Sequence, residues 1–593
     1  MKRLVLLAVP LFVTGCFFKD FTTVARPQLD DADPDRDRVQ TIGDVSAGFE
    51  NALDTVVSGY GLVTGLDGTG GPTPPGDART MVLDRLKRAK IENPTDLIDS
   101  PDCAVVVVTA VIKPGVRRDE LVDVEVTLPP GSKVKNLRGG VLQPTPLMTF
   151  ATQGEVREYL KNNDYGTISQ GNRTLRGHEV VLTKGALQAA VIGTGEGAAA
   201  SDEPLKQAFV WKGGKVLDTR AMFLILKTDQ QRYRVSEQVA TRLNEVFHGG
   251  ETAGTKVAAA RHKDQVAVVV PPRYRLNRFH YMRVVGAVPL ALPADPTAYI
   301  REWEEKLQQP ETTLAAAIRL EALGNPGLPA LRNALTSEYP LVRFAAAQAL
   351  AYQGQTAGAD VLQKAASEHP ALQAFALTAL AALDDALGMS KLEELLAATE
   401  PELRYGAFRA LREIDPSADL VRGEWAARSF AIHEVPTPGS SLVHLLREGR
   451  AEVVLFGAAP KLLPPFSLTA GPGITVTARP GDTVATVSRF SVHSDGAPTH
   501  AQCPLTVAEV LRKMAELGAT YSDAADMLQK AHDRKALSCK LALDALPRAV
   551  PIKRLAEAAR EDPHMEQEHD LLAETDAAAT PGLFRGSAEA KRD

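Results

Sequence analysis

Four prolines, Pro310, Pro340, Pro370 and Pro401, recur at intervals of 30, 30 and 31 residues, and this repeat constrains the fold more than any other feature of the chain. The segments behind them align as TTLAAAIRLEAL, LVRFAAAQALAY, ALQAFALTALAA and ELRYGAFRALRE, with Leu320, Leu350, Leu380 and Leu411 in register. Gly324-Asn325-Pro326, Gly354 and Gly388 break the first three units before a second apolar stretch such as Leu328–Leu335 or Lys391–Ala397. A period near 30 with two helices per unit predicts an α-solenoid of HEAT-like repeats over residues 300–424. Proline is tolerated in a first helical turn and stops the element before it. Such an array offers either a concave protein-binding surface or a rigid spacer and packing partner for its neighbours.

At the other end, Lys2 and Arg3 precede an apolar run, Leu4–Val13, and Val13-Thr14-Gly15-Cys16 places small residues before a cysteine. A run of about ten apolar residues is too short to span a bilayer. Residues 1–16 therefore read as a lipoprotein signal with Cys16 as the lipidated residue. Phe17, where an aspartate would favour inner-membrane retention, directs the expectation to the periplasm, with the acyl chains anchored in the outer membrane. Residues 17–43 are polar, charged and aperiodic, as a flexible tether would be.

A net charge of −6 over 593 residues speaks against a nucleic-acid partner. Hydrophobic content of 44% and charged content of 24% suit folded domains, and the patterning divides them into a multidomain α+β chain. Residues 44–293 mix a helix at Thr80–Ala89, a buried strand at Ala104–Ile112, an alternating strand at Leu121–Leu128 and a strand at Gln265–Val270. Phe223–Phe247 reads as helix-like throughout, with Val235, Val239, Leu243 and Val246 on one face. Beyond the repeats, Glu452–Phe456, Ile474–Ala478 and Thr483–Phe490 predict a small β module over 430–500. Helices at Thr506–Leu517, Ser522–Ala531 and Lys535–Leu546 fill 501–573, and the Ala/Glu/Gly-rich 574–593 reads as a disordered tail. Cys103 suits a buried small apolar position, whereas Cys503 and Cys539 flank one helical segment and could form a disulfide in an oxidising compartment.

No catalytic, cofactor or metal constellation emerges. Gly65–Gly71 lacks the lysine of a phosphate loop, and Gly193–Gly197 places its third glycine one position early for a dinucleotide fingerprint. Gly213–Lys215 reads as a hairpin turn. His564 and His569 stand five apart, a spacing that turns them away from each other on a helix. The glycines are better explained by positive φ and close backbone packing. An enzyme is not expected.

Two segments stand out for their order: Ser58–Gly71, SGYGLVTGLDGTGG, and Asn136–Pro146, NLRGGVLQPTP. With the strands between and after them, they resemble the flagellar basal-body P-ring protein family over roughly Asp44–Pro293. The matching motif positions are Gly59, Tyr60, Gly61, Leu62, Gly65, Asp67, Gly68, Gly70, Leu137, Arg138, Gly139 and Gly140. The resemblance implies a structural subunit that assembles with copies of itself into a periplasmic ring around the flagellar rod. Rod proteins and the outer-membrane ring would be its neighbours, and no cofactor is implied. The lipobox and the long repeat-bearing extension depart from the family's usual pattern. They keep open a second reading, a non-flagellar outer-membrane lipoprotein scaffold of the cell envelope.

Overall fold

The computed structural model describes residues 39–51, 55–66, 68–137, 139–151, 175–189, 206–247, 256–291, 295–427, 430–446, 451–471, 473–490, 499–566, 568–576 and 579–584. Cys16 with the signal, most of the tether, Asp67, Arg138 and Gly193–Gly197 lie outside the described residues.

After α1 (Ile42–Val45) and β1 (Ser46–Glu50), the chain builds an antiparallel sheet from β2 (Thr55–Thr64), β3 (Cys103–Ile112), β4 (Leu121–Thr127), β5 (Val141–Ala151), β6 (Leu175–Ala186) and β8 (Gln207–Val216). The order is β4-β3-β2-β5-β6-β8, and β8 pairs back onto β4, so the sheet closes into a barrel; a short β7 (Gln188–Ala189) adds to β8. Closure pairs the backbone groups that an open sheet would leave at its edges. The β-branched run of β3 serves both faces: Ala104, Val106, Val108 and Ile112 fill the barrel, while Cys103 and Val105 lie under α2 (Asp77–Arg88) and α3 (Pro94–Ile98). Gly213–Lys215 is not a hairpin turn but lies within β8, where Lys212 takes φ 47° and the register against β4 shifts.

Strands β9 (Met222–Leu226), β10 (Ala258–Ala260) and β11 (Gln265–Val268) form a second antiparallel sheet in the order β1-β9-β11-β10, covered by α4 (Tyr233–Val246) and α5 (Arg278–Ala287). The helix expected across Phe223–Phe247 therefore starts ten residues late. Met222, Leu224 and Leu226 are buried in alternation, the period of a strand held between two partners.

Helix α6 (Pro296–Leu307) opens the helical section. It continues with α7 (Thr313–Leu323), α8 (Leu328–Ala334), α9 (Pro340–Tyr352), α10 (Ala359–Glu368), α11 (Gln373–Leu383), α12 (Ala386–Leu395), α13 (Pro401–Ile414) and the short α14 (Asp419–Arg422). The first helices of the units, α7, α9, α11 and α13, pack in series with α8, α10 and α12 between them. Leu320, Leu350 and Leu380 are fully buried, and every residue of α11 is buried. Small alanine side chains permit that burial on all sides.

The C-terminal region is more interleaved than its sequence suggests. Strands β12 (Glu424–Ala426), β13 (Phe430–Val435), β14 (Leu442–Leu445), β15 (Glu452–Phe456) and β20 (Lys540–Leu543) make a mixed sheet in the order β12-β13-β15-β14-β20. Strands β16 (Phe466–Ala470), β17 (Ile474–Ala478), β18 (Val484–Arg489) and β19 (Thr499–Pro504) form an antiparallel meander. Helices α15 (Val507–Glu516) and α16 (Tyr521–Asp533) share one core with both sheets. The helix expected at Lys535–Leu546 is instead β20, which pairs in parallel with β14, about a hundred residues away. Helix α17 (Ile552–Glu561) and a short α18 (Glu568–Leu571) return along the repeats. Part of the expected disordered tail is packed: Leu583 and Phe584 are 4% and 2% exposed in the core of the helical section.

Candidate functional site

The two signature segments, far apart in sequence, meet on adjacent barrel strands. On β2, Val57 and Val63 point into the barrel core, so Gly59 and Gly61 face inward too, while Tyr60 and Leu62 face α2. Opposite them on β5 lie Gln143-Pro144-Thr145-Pro146, whose prolines have no amide to donate. The β2–β5 register breaks between Ser58 and Val63, and the Pro146 carbonyl leans onto Gly59 so closely that a Cβ there would collide with it. At Gly61 a Cβ would come within 2.8–2.9 Å of Leu142, Thr145 and Val108. The glycines thus let a narrow barrel close around proline-bearing β5.

The loops that follow each segment interlock. Gly65 and Gly139 take φ 79° and 75°, with each one's missing Cβ facing the other's carbonyl, and Leu137 is fully buried in the barrel core. The amides of Leu66, Gly70 and Gly71 donate to the carbonyls of Asp102, Pro101 and Cys103 at 3.0, 2.7 and 3.0 Å. Gly68 N–H donates to Asp102 Oδ1 at 2.9 Å, and Lys135 N–H to the Thr69 carbonyl at 2.9 Å. A phosphate cradle needs several convergent free amides; these are committed to the protein itself. At Gly70 a Cβ would collide with the Cys103 carbonyl and lie 2.6 Å from that of Pro101. Gly70→Ala is expected to lower the urea midpoint by the equivalent of about 1–3 kcal/mol through overpacking against backbone, whereas Gly71→Ala, with its nearest neighbour at 4.0 Å, should cost little.

The turn Pro272–His280 docks this module onto the repeats. Tyr274 donates its hydroxyl to Glu321 Oε1 at 2.6 Å, and His280 Nε2 pairs with Glu321 Oε2 at 2.8 Å. Tyr352 stacks on Tyr274 and His280 at 4.9 and 4.5 Å. Arg273 lies against Gly354, and Arg275 donates to the Glu413 carbonyl at 2.8 Å. Glu321, Tyr352 and Glu413 stand at or near the C-terminal ends of α7, α9 and α13, where cations complement the helix dipole. That edge of the array is covered by the chain's own first module, with Ile318, Ala322, Tyr352 and Ala382 completing the core of the second sheet.

A second buried cluster joins the repeats to the C-terminal region. Glu452 on β15 receives Arg412 on both oxygens and the Tyr405 hydroxyl on Oε1 at 2.6 Å; its side chain is 5% exposed. His433 lies 3.7 Å from Glu452 Oε2, and His444 stacks on Tyr405 at 3.7 Å while its Nε2 meets the Ala545 carbonyl at 3.1 Å. Burial alone would raise the Glu452 pKa, but the pairing with Arg412 outweighs it and holds it at about 2. Burial pushes His444 down to about 4. An unfolded His444 binds its proton near pH 6.5, so its contribution is present above that pH and is lost as pH falls toward 4. The Glu452 contribution is lost later, as pH falls from about 4.5 toward 2. Asp123 in the barrel, pushed up to about 6 by burial, works in the opposite sense and favours acid. Near-ultraviolet dichroism should therefore show the C-terminal region losing on the order of 3 kcal/mol between pH 7 and 4. His444→Asn should flatten that slope; an unchanged slope would refute the assignment.

Tyr405, Arg412, Glu452, Tyr274, His280 and Glu321 were not among the residues the sequence singled out. For Glu321 and Arg412 the signal was charge inside an apolar repeat helix, TTLAAAIRLEAL and ELRYGAFRALRE. Cys503 and Cys539, the pair expected to be able to bond, are free in this structure, as is buried Cys103. Cys503 on β19 directs its sulfur toward the Ala485 carbonyl of β18, and Cys539 borders β20 in the other sheet. Burial pushes both thiols up to about 11. His564 and Met565 precede α18 in non-helical backbone, with Met565 at φ 57°, so the HMEQEH stretch is no continuous helix face. Among the described residues no group of three or more His, Cys, Asp or Glu is placed to hold a metal ion. No described helix is long and apolar enough to cross a membrane.

A sequence model of one family, described as flagellar P-ring protein, matches residues 38–300. The Flagellar P-ring protein of Helicobacter pylori strain P12 is 27% identical over 251 residues, 42% of this chain and 62% of the relative. That of Nitratidesulfovibrio vulgaris strain Hildenborough is 27% identical over 268 residues, 43% of this chain and 63% of the relative. That of Wolinella succinogenes is 34% identical over 131 residues, covering 22% of this chain and 35% of the relative. The chain thus spans a little over three-fifths of the length of the first two of these relatives, and the repeats and C-terminal region lie beyond the match.

Proposed function

We propose, from the match of residues 38–300 to the flagellar P-ring family, that the chain is a structural subunit of a P-ring-like assembly at the flagellar basal body and not an enzyme. The observation that carries this reading is the corner built by the two signature segments. Gly59, Gly61, Gly70 and Gly140 allow close packing, and the amides of Leu66, Gly68, Gly70 and Gly71 are bonded within the protein, which supports a motif that serves shape over ligand capture. Copies would meet through a heterologous contact repeated until a ring closes. Val56, Leu121, Val141 and Leu182, all on barrel strands and 42–51% exposed, offer apolar area for such contacts.

In this reading Cys16 carries the lipid that holds the protein in the periplasm at the outer membrane. The helical units act as HEAT-like repeats whose one edge braces the P-ring-like module and whose remaining surface reaches rod or outer-membrane ring proteins. The test is sedimentation and electron microscopy of the purified chain across a concentration series. Closed rings or arcs support the proposal; a monomer at every concentration speaks against it. Cys16→Ser should remove palmitate labelling and outer-membrane retention, and unchanged labelling would refute the anchor.

A further inference from the structure

A cleft of about 340 Å³ opens where the barrel, the docking turn, the last repeat helix and the C-terminal strap converge. Its walls carry five cationic side chains against three carboxylates. Two of those carboxylates are engaged: Glu413 with Arg275 at 3.3 Å, and Glu120 with Arg278 at 3.9 Å. The third, Asp123, accepts the Lys212 backbone amide at 3.0 Å. Arg409 of α13 projects into this space with a buried Nε that has no acceptor among the described residues, and its guanidinium rests 6.0 Å from the Phe584 ring. A buried donor without an acceptor is costly, so this position favours a ligand that accepts a hydrogen bond. A site with surplus positive charge, partly walled from solvent at a junction of modules, favours an anion over water. Trp211 supplies one broad apolar wall.

We propose that this cleft binds a small ligand bearing an oxyanion, a carboxylate or a phosphate, with Arg409 and Lys113 as the charge-pairing donors and Trp211 against the ligand's apolar part. Arginine suits this role because its fork of donors matches either oxyanion. Lys113 already reaches across the cleft to the Gly582 carbonyl at 3.5 Å, so an anion bound here would touch the barrel, the repeats and the C-terminal strap together. The ligand would therefore stiffen the junction as it binds.

The test is calorimetric titration of the full chain at low ionic strength with inorganic phosphate, citrate and phenyl phosphate, since salt screens such sites. Saturable binding is expected, with phenyl phosphate tighter than inorganic phosphate because of the Trp211 wall. The tighter of the citrate and phosphate arms identifies the oxyanion. Arg409→Gln should weaken binding at least tenfold, and Arg409→Lys should restore part of it. Should Arg409→Gln fail to fold, the exposed Lys212→Gln takes its place, with weaker binding expected. Absence of saturable binding to the folded wild type, or equal binding by the variant, would overturn the proposal.

Discussion

Arg412→Ala should cost about 3–5 kcal/mol, because it strips a buried carboxylate of its one charged hydrogen-bonding partner among the described residues. Glu452 would keep the Tyr405 hydroxyl on Oε1, with His433 at 3.7 Å from Oε2, too long for a hydrogen bond. Neither compensates a full charge in a site this dry. Urea denaturation monitored in the C-terminal region reads the loss. The double variant Arg412→Met with Glu452→Gln should recover much of it, since removing both charges avoids the penalty that removing one creates. A cost below about 1 kcal/mol for Arg412→Ala would mean that Glu452 is not held as a buried carboxylate.

Gly59→Val should cost about 3 kcal/mol or more. The obstacle is the Pro146 carbonyl, backbone of a strand paired on both sides, which cannot swing away as a side chain would. The next obstacle is Leu147 at 3.2 Å, itself fully buried. Overpacking costs about 1–3 kcal/mol where side chains can adjust, so a collision with backbone on the barrel seam belongs at or beyond the top of that range. Gly68→Ala is the control: nothing lies within 4 Å of its Cβ, and only its φ of 79° resists the change. If Gly59→Val melts within a degree or two of wild type, the close approach of β2 and β5 is not what the signature glycine secures.

The sequence disclosed those features whose cause is local. The β-branched run at Ala104–Ile112 became β3, and the repeat prolines preceded helices because proline ends what comes before it. Pro340 and Pro401 are first helical residues, whereas Pro310 and Pro370 stand three positions ahead of theirs. Of the signature glycines read as packing positions, Gly59, Gly61, Gly70 and Gly140 lie in close contact with neighbouring backbone or side chains, whereas Gly68 has open space around it. Features set by distant partners were not legible. Phe223–Leu226 carries a run as apolar as many helices, and only pairing with β1 and β11 makes it a strand. Lys540–Leu543 is likewise a strand because β14 lies beside it. The partnership of Glu321 with Tyr274 and His280, and that of Glu452 with Arg412, needed the fold to bring them together.

Tyr352 and Ala382 belong to the core of the second sheet, so loosening the repeats should loosen the module beside them.

Electron cryomicroscopy of isolated basal bodies is the decisive test of the proposal that this chain is a ring-building subunit. With a tag on the chain, labelled density is expected in a closed ring around the rod, into which the barrel module fits, and the ring should be lost when the gene is deleted. Basal bodies that lack the label and keep an intact ring after deletion would contradict it.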